Sequence, residues 1–168
     1  MGSRSLAFTL LAIAEFSPAM ASSYVYDAIC TNSYSKQGEQ QDDLTKQSGK
    51  PIKCDSAVLS LLDNGRVLLQ VSEKKGKLTP LGFSGAGLDF DTNPNFITLP
   101  LQSIYLPHST GTGNPEKIEG IEGFCFLDGK ANLRALTSAT CVAKIEIGTQ
   151  RLVYHVEVHI KGIGQAVP

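Results

Sequence analysis

The chain contains no apolar run long enough to cross a bilayer. The stretch at residues 5–16 would rise about 18 Å as a helix, against about 30 Å of hydrocarbon, and Glu15 interrupts it at a cost in lipid. There is no C-x-x-C pair, which argues against zinc and dithiol redox motifs. Lys and Arg total 15 against 16 Asp and Glu, a net charge of −1 with no basic face, so nucleic acid is not an expected partner. The densest basic run, Lys74-Lys75-Gly76-Lys77, reads as a solvated hairpin tip. No helical pattern of useful length alternates with the strand-like segments, which disfavours α/β folds. No internal repeat or linker divides the chain.

What is present begins at residues 1–21. Arg4 supplies a positive start, 5–16 an apolar core, and Pro18 a break before Ala19-Met20-Ala21, a small-x-small site. This is the pattern of a secretory signal peptide cleaved after Ala21. A lipoprotein anchor would need cysteine at that site, and Cys30 lies nine residues past Ala21. No stable membrane insertion is therefore expected after cleavage. Residues 22–168 form one exported domain of ordinary size, secreted or periplasmic.

Export carries Cys30, Cys54, Cys125 and Cys141 into an oxidising compartment, where an even count reads as two disulfides. Four cysteines allow three pairings. Cys30 and Cys54 flank a polar stretch, and Cys125 and Cys141 flank adjacent elements, so the sequential bridges 30–54 and 125–141 are expected. Chain entropy makes each worth about 3 kcal/mol before strain.

The rest reads as short strands between turn residues. An opening strand over 24–29 ends at Cys30, and 31–53 is too polar to bury and reads as a mobile loop. Residues 57–62 and 66–71 flank Asp63-Asn64-Gly65, a hairpin signal that suggests a type I′ turn. Both arms are apolar at nearly every position, as in strands covered on both faces. Residues 82–87 read as an irregular connection, and 88–90, 96–99 and 101–106 as short strands. A second loop covers 107–118. A strand at 121–127 and a short helix near 133–138 follow. The final hairpin joins 139–147 to 151–161, where Leu152, Tyr154, Val156, Val158 and Ile160 alternate with Val153, His155, Glu157, His159 and Lys161. One buried and one wet face imply an antiparallel sheet. The fold expected is all-β: a small antiparallel β-sandwich or barrel of about eight strands, stapled by two disulfides.

Three patterns carry candidate chemistry. Asp89, Asp91 and Asn93 place oxygen ligands at alternate positions, the start of a calcium loop. Pro94 and Pro100 stand where an EF-hand needs glycine and glutamate, and Asx turns explain the same spacing. No cofactor is expected, with Ca²⁺ the alternative. His155 and Glu157 project from one strand face; residues two apart lie about 6.6 Å apart, whereas His155 and His159 are about 13 Å apart and cannot share a metal. A metal site would need a ligand from elsewhere, such as His108. Gly82-Phe83-Ser84-Gly85-Ala86 approaches a G-x-S-x-G elbow but ends in alanine and lacks the following helix.

No residue set makes a general acid–base mechanism. The function expected is therefore non-enzymatic: binding of a protein or small ligand through loops, with a hydrolase inhibitor or host-directed factor as specific forms. Asp89, Asp91, Asn93, His108, His155 and Glu157 are the candidate contacts. The alternatives are a small metal-dependent hydrolase and a structural envelope component.

Overall fold

The computed structural model describes residues 22–62, 64–73, 81–87, 96–107, 114–129 and 133–167. Ten strands lie among them: β1 (Ser22–Glu39), β2 (Lys50–Pro51), β3 (Ser56–Leu61), β4 (Arg66–Ser72), β5 (Leu81–Ala86), β6 (Phe96–Leu106), β7 (Glu116–Glu119), β8 (Glu122–Asp128), β9 (Ser138–Ile147) and β10 (Gln150–Val167). Two 3-10 turns, Leu44–Lys46 and Leu133–Ala135, complete the set. All pairings are antiparallel.

The sheet closes on itself. Its order is β10-β9-β8-β6-β5-β4-β3-β1-β2, and β10 also pairs with β1 along nearly the whole of both strands. Eight strands therefore form the ring, while β2 adds to β1 and β7 to β6. Closure removes the exposed edges that make open sheets prone to association. The all-β expectation holds, and the ring decides for the barrel.

Alternation sets which side chains enter the ring. Leu59, Leu69, Phe83, Leu99, Leu127 and Val156 each expose none of their surface. An eight-stranded ring has an interior that side chains of this size can fill, and truncating one such leucine to alanine costs about 3 kcal/mol. Along β10 the expected alternation appears at Val156 and Val158, which are buried, while Leu152, Tyr154 and Ile160 of the same face are only half-buried against the core.

Bulges shape the ring at three places, as barrels require for curvature. Gln102 is the extra residue in β6 opposite Ser84 and Gly85. In β10 the pairing slips at Gly162–Gly164 opposite Tyr26, where Gly162 takes φ 91°. A Cβ on Gly164 would lie 2.5 Å from the Tyr26 ring. Tyr26 donates its hydroxyl to the Leu133 carbonyl and so ties down the 3-10 turn. Burial pushes that phenol well above its ordinary range. The third bulge, in β1, lies beside the groove described below.

Both disulfides are the sequential ones, Cys30–Cys54 and Cys125–Cys141. Cys125 and Cys141 face each other directly across β8 and β9, inside the ring and fully buried.

Several local expectations are corrected. The stretch expected as a loop from Thr31 is strand as far as Glu39, because β10 supplies partners for its backbone where side-chain burial does not. The hairpin forms with its expected arms, and Leu62 N–H bonds to the Arg66 carbonyl at 2.8 Å. Gly65 takes φ 74° and Asn64 is not left-handed, so the turn is not type I′. Strand β4 buries Val67, Leu69 and Val71 on one face and leaves the other half-buried, and β3 buries Ala57 and Leu59 with Leu61 half-buried, since among the described residues no second layer covers the outside. The glycine-rich 82–87 is mostly strand β5. Residues 96–106 form one strand through Pro100. The second expected loop ends early, at β7. The helix expected near 133–138 is a single 3-10 turn. Residues 1–21, the lysine-rich tip at 74–77 and the segment 88–95 lie outside the described residues.

Candidate binding groove beside the Cys30–Cys54 disulfide

β3 accompanies β1 only along Ser22–Asp27. Beyond that point the free edge of β1 is taken by the segment after the first 3-10 turn. Ala28 N–H bonds to Asp55 O at 3.1 Å, Cys30 N–H to Cys54 O at 3.3 Å, and Ile52 N–H to Ser33 O at 2.8 Å. β2 continues the ladder at Tyr34 and Ser35. The Cys30–Cys54 bond, with Cα atoms 5.1 Å apart, fixes this segment covalently at its base. Between the two runs lies a groove of about 570 Å³, lined by Asn32, Tyr34, Lys36, Gln47, Ile52 and Lys53 among others.

A β-bulge aims the side chains along its wall. Thr31 pairs with Glu157 and Tyr34 with His155, so two residues of β1 oppose one of β10. Asn32 takes φ 47°, a left-handed conformation that asparagine tolerates better than most residues. Ser33 turns inward and is buried; its hydroxyl accepts from Glu157 N–H at 2.9 Å and donates to the Thr31 carbonyl at 2.8 Å. The serine thus replaces a ladder partner that the bulge removes.

Asn32 turns outward and donates its amide to Glu157 Oε2 at 3.1 Å. His155 Nε2 meets the other carboxylate oxygen, Oε1, at 3.2 Å. With both oxygens occupied, the bonds from His155 and then Asn32 hold the Glu157 carboxyl below the usual carboxylate range. Tyr34 stacks on the His155 ring, with centroids 5.2 Å apart and planes 19° apart. Lys36 Nζ lies 5.1 Å from the Tyr34 centroid and donates to the Leu44 carbonyl at 2.9 Å.

Of the expected contacts, His155 and Glu157 are brought together. Asp89, Asp91, Asn93 and His108 lie outside the described residues. Among the described residues, no three His, Cys, Asp or Glu side chains are grouped to hold a metal. Asn32, Ser33, Tyr34 and Lys36 were not anticipated. Their placement depends on the bulge and on pairing with a strand more than a hundred residues away, which local pattern does not carry.

The residues around Ser84 do not form a nucleophile elbow. Ser84 sits within β5, 1% exposed, and its hydroxyl has no hydrogen-bond partner. Gly85 allows the strands to pass closely: a Cβ there would lie 2.0 Å from the Pro100 carbonyl oxygen. That is a packing role, as glycine at a bulged crossing implies.

On the outer wall, Phe96, Phe124 and Phe126 are each about two-fifths exposed, and the last two rings lie 4.8 Å apart. No helix among the described residues is long and apolar enough to cross a membrane. The two disulfides point to an oxidising extracellular or periplasmic setting. The chain matches no known family model, no curated protein and no solved structure.

Proposed function

We propose that this chain is an exported, non-enzymatic binding protein that engages a protein or small ligand in the periplasm or outside the cell. The observation that carries this reading is the groove beside Cys30–Cys54, whose wall is set by the Asn32–Glu157–His155–Tyr34 network. Side chains held by bonds to one another lose little freedom on binding, which favours recognition. Its volume falls in the range of ligand sites. The signal pattern at residues 1–21, cleaved after Ala21, supports export, as does the oxidised state of the four cysteines. Ser33, the hydroxyl adjoining Asn32, is buried and bonded to backbone on both sides, so the network presents it as a strut and not as a nucleophile.

The test is affinity capture from envelope and host extracts with the oxidised protein, repeated with Tyr34→Ala. A partner recovered by the wild type and lost by the variant supports the reading. Failure of the wild type to retain any partner counts against it.

A further inference from the structure

The proposed binding role leaves the ligand's chemistry open, and the charge of the groove narrows it. Lys36 and Lys53 both line it, and among the described residues no aspartate or glutamate does. A smaller adjoining groove of about 200 Å³ shares Lys36 and Gln47, adds Lys50, and again has no carboxylate in its lining. This is a local positive field on a chain whose net charge is −1. Two acids near its rim already have other partners, and Asp43 also feels the Lys36 charge. Glu157 already accepts from His155 and Asn32, while Asp43 accepts from Thr45 and pairs with Lys46 at 3.2 Å.

The remaining lining suits an extended chain. Asn32 and Gln47 offer side-chain amides, which can both donate to and accept from a peptide backbone. Pro51, Ile52 and the Tyr34 ring give apolar surface for side chains. Resting on the binding role proposed above, we propose that this groove receives an acidic segment of a partner protein, its carboxylates meeting Lys36 and Lys53. Single-stranded nucleic acid fits less well, because its binding needs a long basic track with several stacking rings, and among the described residues Tyr34 is the one aromatic lining the groove.

Fluorescence anisotropy with a labelled, short Glu-rich peptide tests this directly, with its Gln counterpart, free glutarate and oligo-thymidylate as comparisons. The wild type is expected to prefer the Glu-rich peptide and to lose affinity as salt rises. Lys53→Gln and Lys36→Gln should each weaken binding by up to roughly fivefold, and the double variant by up to roughly 25-fold. Lys161→Gln, on the opposite stretch of β10, should leave it unchanged. Lys53 makes no side-chain hydrogen bond or ion pair among the described residues, so its substitution removes no such contact there; thermal melts verify the fold for the set.

Absent binding, equal binding of the Gln peptide, or affinity unmoved in the double variant would overturn the inference. So would glutarate or oligo-thymidylate bound as tightly as the peptide. The two proposals fail separately. A double variant that captures the wild-type partner unchanged removes the groove assignment and leaves the binding role standing. A wild type that binds the Glu-rich peptide yet captures nothing keeps the groove's chemistry and counts against the wider role.

Discussion

Tyr34 and His155 lie face to face on adjacent strands, and that stack exists because an extra residue enters β1 just before it. Asn32 turns outward on the same side as Tyr34, and both then border Glu157 and His155 on β10. One backbone irregularity thus assembles four side chains from two ends of the chain.

Acid should loosen this corner. The folded carboxyl of Glu157 is held below its ordinary range by His155 and Asn32. Its contribution to stability is therefore present above the ordinary carboxylate range and is lost as pH falls through the lowered value. The carboxylate is partly exposed and screened, so the effect is a fraction of a kcal/mol. Urea midpoints measured from neutral to about pH 2 should show a shallower acid-side loss for Glu157→Gln than for wild type. Identical slopes would show that these bonds are not formed in solution.

The two disulfides should differ in access. Cys125 and Cys141 are fully buried inside the ring, whereas Cys30 is partly exposed at the groove. Mild reductant followed by alkylation and mass mapping should modify Cys30 and Cys54 first. Cys125 and Cys141 should be modified only when the barrel unfolds. The Cys30→Ser/Cys54→Ser pair should cost about 3 kcal/mol by chain entropy while leaving the strand content intact.

Gly85→Ala should be among the most damaging substitutions available. The added methyl would meet backbone, the Pro100 carbonyl, at 2.0 Å, and neither strand can yield without breaking the crossing of β5 and β6. A loss of about 3 kcal/mol in denaturant melts is expected. A loss under about 0.5 kcal/mol, the usual scale for a surface change, would mean the strands do not approach this closely.

Ser84→Ala should do the reverse. The hydroxyl is buried with no partner, so removing it relieves a desolvation cost. Thermal melts should show unchanged or slightly higher stability, by up to about 1 kcal/mol, with partner capture unaffected. Marked destabilisation would reveal a hydrogen bond that the structure does not contain.

How much of this was legible in the sequence follows from which interactions are local. The strand pattern of 151–161 reflects alternating burial, a property each residue carries itself, and it was readable. The disulfide pairing followed from the segments that the cysteines flank. The hairpin at Gly65 was readable from Asn64-Gly65 with its arms, although its turn type was not, because two-residue and three-residue turns share that dipeptide. Residues 31–39 were misread for a physical reason: their side chains bury little, and their strand is paid for by backbone pairing with Gln150–Glu157. The candidate site inherits that difficulty. His155 and Glu157 stood out as polar residues on a readable strand face. Asn32, Tyr34 and Lys36 gained meaning only when β10 was laid beside them.

The most direct measurement is ¹⁵N–¹H chemical-shift mapping of the oxidised protein titrated with the Glu-rich peptide. Perturbations confined to residues 30–36, 47–53 and 155–157 are the predicted result. No shifts, or shifts centred on Phe96, Phe124 and Phe126 of the outer wall, would contradict it.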